Sequence, residues 1–209
     1  MRPVEGTAGY GTDVERFVAA TESVDFKDLH EPYLDLIPRL SGRVLDIGAG
    51  IGRDAHVFAS MGHDVVAVEP MQRLLDVARA RYDSPKTLWV CDSLPELASL
   101  SEADNLFDFV LVSAVWHHLN DAERERALSR IARLLRVGGR FALSLRNGPA
   151  GGGTHVFPTD HEQTIQSVTD AGFKTEVALK GLPSLVPGKS GVVWSKLVFL
   201  RVNPNHSDP

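Results

Sequence analysis

The chain has 209 residues, 43% hydrophobic and 23% charged, which is enough for one ordinary α/β domain and too little for a second domain with its own core. A formal charge of −5 argues against an electrostatic grip on nucleic acid, and the single Cys91 excludes an internal disulfide or a cysteine-rich metal site. No apolar stretch has the length of a bilayer span and the amino terminus lacks a signal-peptide core, so a cytoplasmic location with no membrane partner is expected.

In chain order, RVLDIGAGIGRDA from Arg43 to Ala55 is an apolar strand that runs into a glycine-rich turn and out into a helical pattern. A helix is expected from Arg53 to Ser60, ended by Gly62, and then a second strand, DVVAV, that stops at Glu69-Pro70. A helix from about Met71 to Tyr82 leads to TLWVCD as a third strand with Cys91 buried inside it, LPELASL as a short helix, and FDFVLVSAVW as a fourth strand.

Asp121 opens a long amphipathic helix, closed by Gly138-Gly139 before the strand RFALSLR. Arg124, Arg126, Arg130, Arg133 and Arg136 give this helix a basic face, read as solvated and balanced by Glu123 and Glu125. The rhythm breaks at NGPAGGGTHVFP, a lid or active-site loop, after which come a helix from Asp160 to Ala171 and the strands FKTEVAL and GVVWSKLVFLR. The last two are close enough to form a hairpin with a long connection, and the alternation as a whole predicts a doubly wound, mostly parallel sheet with helices on both faces.

Glycines at 48, 50 and 52 allow the turn after the first strand and let a ligand approach bare main chain. Asp46, Glu69 and Asp92 stand in or at the ends of the first three strands, on the rim where doubly wound sheets bind ligands. Glu69 suits the two ribose hydroxyls of an adenosine cofactor. The dinucleotide fingerprint is disfavoured because the third glycine falls at 52 and Arg53 occupies the helix-packing position, and no Gly-Lys-Ser/Thr marks a phosphate loop.

The ordered set VLDIGAGIG, AVEP, CDSLPEL, FDFVLVSAVWHHL and LLRVGGRFALS resembles the class I S-adenosylmethionine-dependent methyltransferases over about residues 42–145. The resemblance implies a seven-stranded Rossmann-like sheet with the last strand antiparallel, and S-adenosyl-L-methionine as cofactor. It implies that Asp46, Gly48, Ala49, Gly50 and Gly52 face the methionine moiety and Glu69 the ribose. Pro70 or Met71 would flank the adenine, Asp92 would bond its amine with Ser93 and Leu94 nearby, and Ser113 would close the set. Residues 1–40 would form a helical cap or substrate lid, 41–146 the cofactor core, and 147–209 the substrate loops and final strands. Tyr10 or Arg16 in the cap is a candidate for the methionine carboxylate, with plain packing as the other reading.

His117 and His118, just after the fourth strand, are the candidates for a general base; the alternative is that one packs beneath the cofactor and the other caps a turn. His30 and His155 are weaker candidates for substrate contact. Trp116, Phe157 and Trp194 are an aromatic wall for a flat substrate or a stack of core rings, and Pro183, Leu185 and Val186 are further pocket candidates. No metal is expected, since the eight histidines show no ligand spacing on one helix. The expected activity is methyl transfer to a small-molecule substrate by a monomer or homodimer. The alternatives are an RNA or protein methyltransferase, for which the asparagine-proline-proline-tyrosine signature is missing after the fourth strand, and a cofactor-binding homologue that has lost transfer.

Overall fold

The computed structural model describes residues 4–102 and 106–203. Seven strands form one sheet: β1 (Arg43–Ile47), β2 (Asp64–Val68), β3 (Thr87–Val90), β4 (Phe107–Val112), β5 (Leu135–Asn147), β6 (Phe173–Pro183) and β7 (Val193–Arg201). Their order is β3-β2-β1-β4-β5-β7-β6, with β7 antiparallel to both of its neighbours and every other pairing parallel. The hairpin expected at the end of the chain is therefore present, and it inserts β7 between β5 and β6.

Helices cover both faces, because the inner strands are apolar on both sides. Helices α5 (Asp121–Leu134) and α6 (His161–Asp170) bury Ile131, Leu134 and Val168 against Leu45, Val110, Phe141 and Leu197 on one face. On the other, α2 (Phe26–His30), α3 (Arg53–Ser60) and α4 (Gln72–Tyr82) bury Phe26, Phe58 and Leu75 against Val44, Val65, Phe109 and Val198. Local sequence sets the helix starts. Asn120 and Glu123 form a reciprocal capping box on α5, with contacts of 3.0 and 2.8 Å, and the Asp160 carboxylate caps α6.

Four boundaries differ from expectation. The segment 94–100 is a run of turns and not a helix: Leu97 sits in the left-handed region at φ +44°, and the Asp92 carboxylate accepts the backbone N–H groups of Ser93 and Ser99, each at 2.7 Å. Strand β4 ends at Val112 because Ala114 turns to φ +60°, its N–H donating to the buried Ser144 hydroxyl at 2.8 Å. Strand β5 begins directly at Leu135, and a bulge opposite Asp108 absorbs Gly138-Gly139. Cys91 lies just past β3, half-buried, its thiol directed at the Pro70 carbonyl.

The arginines of α5 are paired, but not mainly with Glu123 and Glu125. Arg130 and Arg133 share Glu102, Arg126 meets Glu96, Arg130 also donates to the carbonyls of Glu96, Leu97 and Leu100, and Arg136, which falls in β5, meets Asp108. The basic face thus clamps the turn segment after β3, which explains why that segment holds its shape without being a helix.

Helix α1 (Val14–Glu22) and α2 are tied to the sheet by buried charges. Arg53 donates to the carbonyls of Thr21 and Val24 at 2.9 and 3.1 Å and to Asp54 at 2.7 Å. Asp54 also accepts from His30 Nε2 at 3.0 Å, and the Tyr33 hydroxyl donates to His30 Nδ1. Burial pushes the Asp54 carboxyl up, but His30 and Arg53 beside it win and hold it below the usual range. Arg53, the residue that breaks the dinucleotide fingerprint, therefore fastens the amino-terminal segment beside the glycine turn.

Candidate cofactor and acceptor cavity

A largely apolar cavity opens at the carboxyl ends of β1, β2, β3 and β4. Its floor is Ile47, Gly48 and Gly50; its walls include Glu69, Pro70, Met71, Asp92, Ser93 and Leu94 on one side and Ser113, Ala114, Val115, His118 and Leu119 on the other. Val4, Thr7, Tyr10 and Phe17 from the amino-terminal segment form its roof.

The glycine turn is built for close approach. The N–H groups of Gly48 and Ala49 donate to the Val68 carbonyl at 2.8 and 3.0 Å, fixing the turn to the end of β2. Gly48 has φ +75°, and a Cβ there would come within 2.2 Å of Val115 Cγ2. Gly48→Ala therefore adds left-handed strain of about 1–2 kcal/mol and an overpacking cost of about 1–3 kcal/mol. A clear drop in melting temperature, with parallel loss of cofactor affinity, is expected; an unchanged melting curve would contradict the close packing of the turn on the β4 loop.

Glu69 is 6% exposed and reaches the turn across the strand ends. Its Oε2 accepts from Gly50 N at 3.0 Å and its Oε1 from Met71 N at 2.9 Å. Each oxygen keeps a second lone pair for hydroxyl donors in the cavity. Burial pushes this carboxyl up to about 7, against the pull of the Met71 and Gly50 amides. Asp92 also lines the cavity, with both oxygens accepting from the turn that follows it.

The residues expected from sequence do not all converge. Gly48, Gly50, Glu69, Pro70, Met71, Asp92, Ser93, Leu94, Ser113 and His118 border the cavity. Asp46 does not border the cavity: strand residues alternate and Ile47 faces it, while Asp46 is buried near Asp54, Arg53 and Glu69, where burial raises its carboxyl well above the usual range. The three carboxylates of β1–β3 therefore do not share one rim pocket. Ala49 packs in the core layer of α3, and Gly52, at φ +83°, leaves room for the Trp89 ring, which a Cβ would meet at 2.4 Å.

The two adjacent histidines separate by role. His117 is 3% exposed and absent from the cavity wall, its Nδ1 has no hydrogen-bond partner among the described residues, and burial with the neighbouring His118 pushes it down to about 2. Its carbonyl holds the loop by accepting from Phe157 N at 2.7 Å. His118 faces the cavity. Its Nδ1–H donates to the His155 carbonyl at 2.7 Å, which leaves Nε2 as acceptor for the Tyr10 hydroxyl at 2.8 Å. Burial pushes His118 down and Tyr10 up to about 12, so the pair is a neutral imidazole and a neutral phenol near pH 7.

Other candidates fall away from the cavity. Arg16 is exposed and His30 is sealed beneath α3, while His155 is half-buried 3.7 Å from Glu5. Trp116 is a core residue against Phe141, Phe157 packs edge-on to His155, and Trp194 lies under Lys196; the three rings form neither a common wall nor a common stack. Pro183, Leu185 and Val186 do not border the cavity. Sequence reasoning missed Val4, Thr7, Phe17, Val115 and Leu119. Phe17 had a faint signal as an aromatic residue of α1 off the charged face, and Leu119 as the apolar residue after the histidines. Among the described residues no group of three metal-binding side chains occurs, and no helix is long and apolar enough to cross a membrane.

Residues 45–143 match the methyltransferase domain family. An uncharacterised methyltransferase of Mycobacterium bovis is 41% identical over 108 residues, covering 52% of this chain and 41% of that protein. The chain thus spans about two fifths of the curated relative. Another, from Bacillus cytotoxicus, is 25% identical over 163 residues, 73% of this chain and 68% of that one. Among solved structures, the 1,6-didemethyltoxoflavin-N1-methyltransferase of Burkholderia thailandensis, bound to 1,6-didemethyltoxoflavin and S-adenosylhomocysteine, superposes with a TM-score of 0.70 at 20% identity, covering 93% of this chain and 84% of that one. A TehB-like methyltransferase of Corynebacterium glutamicum gives 0.65 at 23% identity, covering 91% and 97%. With the sheet order, these likenesses give the chain the fold of the methyltransferase domains, and residues 45–143 carry the similarity to the methyltransferase domain family.

Proposed function

We propose that the cavity binds S-adenosylmethionine and that the protein transfers its methyl group to a small molecule. The observation that carries this reading is Glu69, buried between the Gly50 and Met71 amides with free lone pairs turned to a cavity floored by bare glycine. Gly48 and Gly50 would accept the methionine part against the main chain, Glu69 the ribose hydroxyls, and Pro70, Met71, Leu94 and Asp92 the adenine. When bound, the cofactor supplies a sulfonium methyl for displacement by a nucleophile.

This chain's own contribution is alignment, exclusion of water and proton transfer. Tyr10 and Phe17 cover the amino-terminal side of the cavity. His118 is the base: its tautomer is set by the His155 carbonyl, and Tyr10, which borders the same cavity, donates to its Nε2, so an acceptor proton would pass to the phenol oxygen as the phenol proton moves to Nε2. His117 serves the loop and not the chemistry. A small acceptor is supported by the roofed cavity and by the small heterocycle bound to the Burkholderia thailandensis relative.

Incubation with S-adenosylmethionine labelled in the methyl group, alongside small phenols, thiols, amines and carboxylic acids, total RNA and cell protein, tests the reading. Label is expected in a small acceptor. Label in RNA or protein alone would overturn the small-molecule assignment.

Cofactor affinity should also depend on pH. Glu69 has a folded pKa of about 7, above its ordinary value near 4.3, so it favours the fold at low pH and that contribution is lost as pH rises through about 7. Ribose hydroxyls need the carboxylate, so binding has the opposite sign: affinity rises with pH up to about 7, by at most about tenfold per pH unit, with proton release. Calorimetry in buffers of different ionisation enthalpy reads this directly. A profile that is the same in Glu69→Gln would contradict the assignment of the proton to Glu69.

A further inference from the structure

The rim of the sheet changes sign along its length. Glu69 and Asp92 stand after β2 and β3, the glycine turn after β1 and His118 after β4, whereas Arg146 is at the carboxyl end of β5, paired with Trp194 of β7, and Lys189 lies four residues before β7. The two cations meet at one glycine: a Cβ on Gly151 would lie 3.6 Å from Lys189 Nζ and 3.8 Å from Arg146 Nη2. Arg146 donates to the Pro149 carbonyl, which fixes its guanidinium on the loop, and neither side chain has a carboxylate partner among the described residues. This contrasts with the arginines of α5, which are paired with acids.

The same loop leads from these cations to the Tyr10–His118 pair. A Cβ on Gly152 would touch the Tyr10 ring at 3.6 Å, and one on Gly153 would strike Tyr10 and His118 at 2.5 and 2.7 Å. Thr154 N binds the Ala8 carbonyl at 2.9 Å, so the glycine run is held against the amino-terminal roof. Two residues of chain span at most about 7 Å. The positive charge of Arg146 is felt by Tyr10, His117 and His118, which places it near the site where the acceptor would react.

We propose that Arg146 and Lys189 hold an anionic group of the methyl acceptor, a carboxylate or a phosphate, over the bare main chain at Gly151, with the nucleophilic atom about the width of one ring away at Tyr10 and His118. The proposal rests on the reading of the cavity as a methyltransferase site and names its substrate class. Two cations beside one glycine, without acid partners among the described residues of a chain whose net charge is −5, form a local positive spot that an anion would complete. A guanidinium fixed on a loop presents its remaining N–H groups as a fork suited to either oxyanion.

Amide NMR of the full chain tests this without knowledge of the natural substrate. The probes are benzoate, phenyl phosphate and the uncharged benzamide, each titrated with and without S-adenosylhomocysteine. Both anions, or the one matching the natural group, should shift the Gly151, Gly152, Gly153 and Lys189 amides at concentrations about tenfold or more below benzamide. A preference for benzoate assigns a carboxylate and for phenyl phosphate a phosphate. Lys189→Gln should weaken the favoured anion several-fold, Arg146→Gln more, and Arg146→Lys should retain most of the binding, which separates charge from loop structure. Equal binding of benzamide and the anions, or anion shifts that persist in Arg146→Gln/Lys189→Gln, would overturn the proposal. Failure of S-adenosylhomocysteine to bind would instead count against the cofactor reading, since the anion shifts are read in its absence as well.

Discussion

Replacing Glu69 with alanine is expected to weaken S-adenosylhomocysteine binding by about 100-fold or more. The carboxylate accepts the Gly50 and Met71 amides and, on the proposed reading, two ribose hydroxyls. Hydrogen bonds to a charged group are worth about 1.5–3 kcal/mol each, so the loss of two from the ligand alone gives about 3–6 kcal/mol. Alanine also leaves the Gly50 N–H without its partner in the cradle, so the turn loses shape as well as an acceptor. Glu69→Gln keeps the volume and one acceptor oxygen and should fall between the two. Calorimetry on variants that retain a cooperative melting transition checks this. Affinity within threefold of the native protein would remove Glu69 from the cofactor site.

The second large effect is on turnover. His118→Ala should lower kcat by about 10²–10⁴, the usual range for a positioned general base, with cofactor affinity within a few-fold. Tyr10→Phe removes the bridging hydroxyl and should cost less, about 10–100-fold, because water can enter between the acceptor and Nε2. His117→Ala should instead act through stability, as its ring is buried away from the cavity. The discriminating readout is the acceptor found by label transfer. One whose nucleophile is already ionised at the assay pH should be methylated almost as fast by His118→Ala, whereas one that must lose a proton should not. An equal fall for both would assign His118 to positioning.

The sheet was legible because its signals are local and redundant. Apolar strands buried on both faces, Gly62 after α3 and Asp121 at the start of α5 each mark an element or its end from a few neighbouring residues. Glu69 was legible for a similar reason: its distance from the glycine turn follows from the length of one strand–helix–strand unit. What sequence did not reveal depends on direction and on distant partners. Asp46 differs from Ile47 only by which face of β1 it occupies, and strand β4 ends early because Ser144, thirty residues away, captures the Ala114 amide. The turns at 94–100 are set by Asp92 and by arginines on α5. Equally, His117 and His118 are adjacent in sequence, and only the Tyr10 hydroxyl and the His155 carbonyl, each distant along the chain, tell them apart.

The most direct test of the cofactor site is a crystal structure of the protein with S-adenosylhomocysteine. The account predicts the ribose hydroxyls within hydrogen-bond distance of Glu69, the homocysteine along Gly48 and Gly50, and the sulfur facing Tyr10 and His118. Density for the ligand outside this cavity, or within it with the ribose away from Glu69, would contradict the account.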